Sequence, residues 1–258
     1  MVRHIVLFFS PTGGVRRAVG LLAGAIARQA EYFDLSITFS GHHDMRFTPE
    51  DVCIIAVPSY GGRVPEIAAQ RLGAVQGNGA RAILMSVYGN RSDEDTLPEL
   101  RDIAQSAGFL PVAAVRAIAE HSIVRTIASG RPDEADAQML AGFGREIAAY
   151  LEAPKLPPVD LPEKAPFRPY GGLPMHPKAG RRCTGCGKCA TLCPVGAIPR
   201  DNPALTDENA CITCMRCVAV CPEHARALNP VMLALAGRKL KKACVGRKEP
   251  ELILGRNI

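Results

Sequence analysis

The sequence predicts an α/β domain built on a doubly wound sheet of five parallel strands, with a small cysteine-rich unit behind it. Apolar runs at 2–9, 35–39, 52–57, 81–87 and 110–118 alternate with helical patterns, which is the signature of βαβ units. Three irregular loops, at 10–15, 58–65 and 88–95, each follow a strand, where a doubly wound sheet seats its ligand. Eight of the ten cysteines then crowd into residues 183–221.

The bulk numbers narrow the classes. At 258 residues the chain suffices for one large or two ordinary domains, and 47% apolar content suits a packed core. No apolar run approaches the length of a membrane span, and the run at 2–9 is too short for a secretory core. A cytoplasmic protein is expected. The formal charge of +6 does not imply nucleic-acid binding: there is no Trp, and no basic patch is interleaved with aromatics.

Taken in order, residues 2–9 form a continuous apolar strand, and Ser10-Pro11-Thr12-Gly13-Gly14 is a polar turn. A helix follows over 15–29, with apolar residues at Val15, Val19, Leu22, Ala23 and Ile26. Strand, hydroxyl-rich turn and helix together seat a phosphate, because the helix N-terminus and backbone N–H groups face the anion. A plain βα turn using glycine for its backbone angles has the same pattern. The run at 52–57 is apolar throughout, as buried parallel strands are, and leads into Pro58-Ser59-Tyr60-Gly61-Gly62-Arg63-Val64-Pro65 and a helix. The fourth strand, 81–87, precedes Tyr88-Gly89-Asn90-Arg91 and a helix over 93–107; the fifth is followed by a last helix over 134–151.

With these loops in place, residues 1–153 resemble flavodoxins. The resemblance implies FMN as cofactor, with Ser10, Thr12, Gly13, Gly14 and Val15 around its phosphate. Pro58, Ser59, Tyr60, Gly61 and Gly62 would border the flavin ring, with Tyr60 stacked on it, and the backbone of Tyr88, Gly89, Asn90 and Arg91 would meet the pyrimidine edge. Without the resemblance, Tyr60 reads equally well as a surface turn aromatic. Two departures stand out. Val15 occupies the place of a second phosphate-loop Thr, with Arg16 and Arg17 beside it. The run Ser92-Asp93-Glu94-Asp95 has no second stacking aromatic, which leaves one flavin face open to a partner cluster or a substrate.

The pattern C-x-x-C-x-x-C-x-x-x-C-P occurs twice, as Cys183, Cys186, Cys189, Cys193 and as Cys211, Cys214, Cys217, Cys221. Short loops with two residues between cysteines turn three thiolates onto one iron–sulfur cubane, and the fourth of each run serves the other cluster. Cys183, Cys186, Cys189 and Cys221 therefore hold one [4Fe–4S] cluster, and Cys211, Cys214, Cys217 and Cys193 the other. Zinc sites rarely add a third cysteine two residues on, and a disulfide framework belongs to an oxidising compartment. Residues 179–230 resemble bacterial two-cluster ferredoxins, which implies a small α+β fold. Two clusters carry about four negative charges with their ligands, and a flavin phosphate adds about two, so the loaded protein is close to neutral.

Between the halves, residues 154–178 hold eight prolines and read as an extended, semi-rigid linker with one joint at Gly171-Gly172. Residues 231–258 form a basic tail, amphipathic over 230–245, either solvated or docked on an acidic partner or the first domain. Cys53 reads as a buried small apolar residue, Cys244 has no assigned chemistry, and His121 is equally a structural or a cofactor-rim histidine. The whole chain resembles the EFR1 family of flavodoxin–ferredoxin fusions, through Tyr88-Gly89-Asn90-Arg91, Glu120-His121-Ser122 and Gly130-Arg131-Pro132-Asp133. The combination implies an electron-transfer protein coupling one- and two-electron partners, which are redox proteins or a small-molecule acceptor. A flavin-dependent reductase fed by its own clusters, and a redox-sensing module, are the alternatives.

Overall fold

In the computed structural model, residues 2–37 and 45–255 are described. Strand β1 (His4–Phe8) leads through the first loop to helix α1 (Gly14–Ile26) and strand β2 (Glu31–Asp34). Strand β3 (Val52–Pro58), helix α2 (Glu66–Gly73), strand β4 (Arg81–Tyr88) and helix α3 (Thr96–Ser106) continue the alternation. Strand β5 (Leu110–Ile118) and helix α4 (Glu134–Leu151) complete the first half. The parallel strands run in the order β2-β1-β3-β4-β5, the flavodoxin-like doubly wound order.

Why the strands read as unbroken apolar runs is plain from the packing. Ile5, Leu7, Cys53, Ile55, Val57, Ala82 and Leu84 face α2 and α3, where Ala68, Leu72, Leu97, Leu100 and Ala104 cover them. The alternate residues Val6, Phe8, Val52, Ile54, Ala56, Ile83 and Met85 face α1 and α4 across Ala18, Val19, Leu22, Leu140 and Ile147. Both faces are buried, so the period of two is present in space but hidden in composition.

The cysteine-rich unit is two copies of one small plan. A two-stranded antiparallel ribbon joins β6 (Lys178–Ala179) to β7 (Arg226–Ala227), and one-turn helices α5 (Lys188–Thr191) and α6 (Arg216–Ala219) lie between them. Arginines seat this unit on the sheet half. Arg71, on α2, donates to the Leu35 carbonyl at 2.6 Å and the Pro194 carbonyl at 2.7 Å, and Arg216 reaches Ser36. Replacing Arg71 by alanine is expected to cost about 2 kcal/mol, the scale of charge-assisted hydrogen bonds, seen as a lower thermal midpoint. Among the described residues no helix is long and apolar enough to cross a membrane.

Two strand expectations are corrected. The second strand lies at Glu31–Asp34 and not at 35–39. Asp34 ends it, because its carboxylate accepts the Ser36 backbone N–H at 2.8 Å and turns the chain. Leu35 is buried in that turn, and residues 38–39 lie outside the described residues. The sheet also has a sixth strand. After the cysteine-rich unit, helix α7 (Pro230–Ala243) leads to strand β8 (Glu251–Leu254), which pairs antiparallel with β5, Arg116 opposite Glu251 and Ala113 opposite Leu254. The four-residue run Glu251-Leu252-Ile253-Leu254 reads as part of the basic tail because nothing local marks it as an edge strand of a sheet begun at residue 4.

The proline-rich stretch is docked along the sheet half. Val159 donates its N–H to the Pro111 carbonyl at 3.0 Å, and Val159 and Leu161 are buried in the core. Farther along, the Arg168 N–H reaches Asp95 at 2.8 Å, Lys164 pairs with the same carboxylate at 3.2 Å, and Arg168 pairs with Glu94. The acidic run after β4 thus anchors the linker.

Candidate functional site

Most of the loop residues expected around the flavin line one cavity at the C-terminal ends of β1, β3, β4 and β5. Ser10, Thr12, Gly14, Val15, Pro58, Ser59, Tyr60, Gly61, Tyr88 and Gly89 all face it. Gly13 is the residue before α1 and takes the left-handed backbone, φ 91°. The N-cap residue has no side chain and the first turn has no acidic residue, so the Gly14 and Val15 N–H groups are left for an external anion. Ser10 accepts the Arg16 N–H at 3.0 Å through its hydroxyl oxygen and keeps its own proton to donate. These features fit a phosphorylated flavin.

Gly13, Gly62, Asn90 and Arg91 do not line that cavity; Gly13 faces the neighbouring larger cleft. The Asn90 amide is occupied by the tail: it donates to the Cys244 and Gly246 carbonyls at 3.0 and 2.8 Å and accepts the Lys248 N–H at 3.1 Å. Arg91 pairs with Glu94, and Gly62 packs against Glu94 and Arg168. The loop 59–65 is held by Glu99, which accepts Arg63 at 2.6 and 2.8 Å and the Val64 N–H at 2.8 Å. Asp93 is buried and takes Ser86 at 2.7 Å and Arg116 at 3.1 Å, tying the third loop to β5.

The far wall of the cavity is built by residues that the sequence does not point to. Tyr170 and Leu173 come from the linker, and Ile212 and Thr213 from the second cysteine loop. Tyr170 lies over Gly61 so closely that a Cβ there would sit 2.3 Å from its ring. Burial, then the nearby Cys214 sulfur and Tyr170, push the Tyr60 phenol well above its ordinary range. The aromatic absent from 92–95 thus has a counterpart in the linker, outside the sheet domain. Its sequence signal is slight: one tyrosine among prolines.

His121 also lines the cavity, with its Nδ1 accepting the Ile123 and Val124 N–H groups at 3.1 Å. Burial holds its pKa below the ordinary value, so the fold favours the neutral ring. A depressed pKa contributes stability that is complete above the unfolded value, about 6.5, and is lost as pH falls through the folded one. Thermal midpoints between pH 7.5 and 5.5 are therefore expected to fall less steeply in His121→Gln than in the parent chain.

The cysteines gather into two sets of four. Cys183, Cys186, Cys189 and Cys221 line one small cavity; Cys193, Cys211, Cys214 and Cys217 line another. Three left-handed residues shape each half: Gly185, Gly187 and Gly196 at φ 72°, 73° and 67°, matched by Thr213, Met215 and His224 at 51°, 64° and 46°. Those turns bring thiols separated by two residues to one side of the loop. Each cavity gathers four thiols, the ligand count of a cubane with one thiolate per corner.

The two sets differ in surroundings. Burial pushes the Cys214 thiol up to about 12 and Cys217 up to about 11, so these thiols shed their protons only to a bound metal. At Cys221 burial is outweighed by the Ala225, Glu223 and Arg226 backbone N–H groups, and the net shift is downward. Cys186 is exposed. Arg226, buried, donates to the carbonyls of Pro177 and Leu205 at 3.2 and 2.9 Å and lines the first cavity. It places a fixed positive charge beside ligands that are negative when metallated.

Comparison with known proteins agrees with this geometry at one point above all. Residues 182–226 match the family described as 4Fe-4S dicluster domain. The C-terminal part is a ferredoxin-type 4Fe–4S domain. The chain is 44% identical over 52 residues to the thiosulfate reductase electron transfer subunit of Salmonella typhi, covering 19% of this chain and 27% of that one. It is 46% identical over 48 residues to a component of the ion-translocating oxidoreductase complex of Methanosarcina acetivorans, covering 18% of each. The chain therefore spans about a quarter or less of these curated relatives. Among solved structures, an apo NADH:FMN oxidoreductase is 16% identical, with 60% of this chain and 92% of that chain covered and a TM-score of 0.44. A flavodoxin from the domain Archaea is 11% identical, with 59% and 100% covered and a TM-score of 0.42. The strand order carries the flavodoxin-like assignment of the first half. The family match implies an iron–sulfur cluster.

Proposed function

We propose that the protein is an electron-transfer flavo-iron–sulfur protein that passes electrons between two [4Fe–4S] clusters and FMN. On this reading it is a flavodoxin–ferredoxin fusion of the cytoplasm, made of a sheet domain, a proline-rich linker, a two-cluster domain and a basic tail. Its partners are redox proteins or a small acceptor. The observation that carries the reading is the wall shared by the two halves. Ile212 and Thr213, the residues between Cys211 and Cys214, line the cavity on which Ser10, Thr12, Ser59, Tyr60 and Tyr88 converge.

Cys183, Cys186, Cys189 and Cys221 would hold one cluster, and Cys193, Cys211, Cys214 and Cys217 the other. The first loop would bind the flavin phosphate, and Tyr60 would meet the ring. Cubanes supply one electron at a time and a flavin one or two, so such a protein couples partners of both kinds. Arg71 holds Pro194, at the end of the first cysteine run, and Arg216 holds the second run against the sheet half. Tyr170 and Leu173 close the cavity from the linker side, which restricts water at the flavin site.

Anaerobic purification with iron, sulfide and flavin quantified, followed by stepwise reduction and EPR, tests the reading. Two interacting cubane signals and one FMN per chain are expected. Zinc in place of iron, a single cluster, or a first half that stays empty when offered FMN would end it.

A further inference from the structure

Beside the flavin cavity lies a much larger cleft, about 1650 Å³, between α1, the loop at 120–134, the cluster domain and α7. Most small-molecule sites span about 300–1,000 Å³. The two share a rim at Thr12, Gly14, Glu120, Ser122 and Ile123, so the cleft continues outward from the phosphate loop.

Its charge is one-sided. Arg16, Arg17, Arg238 and Lys241 line it, and among the described residues none of them makes an ion pair. Of the acidic residues on its walls, Glu120 is neutralised by Arg125 and the Gly130 N–H, and Asp133 by Arg247. Among the described residues, Glu134 alone lacks a cationic partner there. Arg17 donates to the Pro132 carbonyl at 2.8 Å, so among the described residues Arg16, Arg238 and Lys241 are the cations left without a partner, facing one unpaired carboxylate. A second strip is apolar: Met215, Val218, Leu228 and Leu233 pack with Ile123 there, and Gly237, the buried residue of α7, lets that helix approach Val124. An elongated concavity with a cationic strip, an apolar strip and an open end at a phosphate loop suits an anionic chain bearing a flat base.

We propose that this cleft binds the nucleoside-diphosphate arm of a dinucleotide, its diphosphate against Arg238, Lys241 and the α1 arginines and its base on the apolar strip. The proposal concerns the cleft and does not depend on FMN being the resident flavin. Such an arm has two sources, the adenylate half of a resident FAD or a separate nicotinamide dinucleotide.

The test uses the full chain loaded with clusters and flavin, and ADP, inorganic pyrophosphate and adenosine as probes in calorimetric titration. ADP is expected to bind at least tenfold more tightly than either fragment, and the double variant Arg238→Ala/Lys241→Ala to weaken it at least tenfold. Both residues are exposed, and unchanged iron content confirms that the variant is folded. Chromatography of the released flavin separates the sources: FAD makes the arm part of the cofactor, whereas FMN with competition by NADH or NADPH makes it a separate ligand. Where the released flavin is FMN, pyrophosphate matching ADP, no ADP binding at millimolar concentration, or an unaltered affinity in the double variant overturns the proposal; where it is FAD, the double variant retaining FAD as tightly as the parent overturns it. Missing iron or flavin in the same sample counts against the electron-transfer reading instead.

Discussion

Cys214→Ala is expected to lower iron and sulfide by about half, because on the proposed reading one of two four-iron clusters loses a ligand. The same variant is expected to slow reduction of the flavin by a one-electron donor protein, because Cys214 directly follows Ile212 and Thr213, which line the flavin cavity. The interlocked sets sharpen the test. Cys193 and Cys214 line one cavity and Cys221 the other, although Cys193 belongs to the first run and Cys221 to the second. Cys193→Ala should therefore abolish the same EPR signal as Cys214→Ala, and Cys221→Ala the remaining one. Pairing by run, with Cys193 grouped with Cys183, would contradict this. Cys53→Ala serves as control: Cys53 is fully buried in the sheet core, so its loss costs about 1 kcal/mol of stability and no iron.

Gly61→Ala is expected to weaken flavin binding by about tenfold or more, read by fluorescence titration of flavin-free protein. Two effects add. Gly61 has φ 60°, a region where an L side chain costs roughly 1–2 kcal/mol. A Cβ there also meets the Tyr170 ring at 2.3 and 2.4 Å, which forces the linker aromatic away from the cavity. Combining it with Tyr170→Ala removes the collision and leaves the backbone cost. The double variant should then regain part of the affinity but not all, because the cavity has lost a wall. Full recovery would show that Tyr170 only fills space.

What is legible in the sequence follows from how local each signal is. Strands β1, β3, β4 and β5 are long apolar runs because helices cover both faces, and each cysteine loop announces its chemistry within a dozen residues. The second strand is displaced from its expected place because Leu35 looks like strand and is buried, yet Asp34 turns the chain one residue earlier. Strand β8 completes an edge begun more than a hundred residues before it. Asn90 shows the same limit at the site: it sits in the expected loop, but its amide answers to Cys244, Gly246 and Lys248 at the far end of the chain. The acidic run at 93–95 stands out in the sequence for lacking an aromatic, and its structural use, holding Arg168 and Lys164, depends on charges some seventy residues on.

The matched cysteine loops fold alike from unlike residues: glycines in one, threonine, methionine and histidine in the other. Thr213 accepts an unfavourable backbone, steadied by its hydroxyl bond to the Met175 carbonyl at 2.7 Å, and Met215 packs with Met175 and Leu228. The halves are consequently not interchangeable. A graft of the glycine loop into the second position would keep its cysteines and relax the chain, but it would strip the cavity of the inner lining given by Ile212 and Thr213. The duplicated module has an inward end fitted to one cavity and an outward end left for visitors, a polarity that a symmetric copy would not possess.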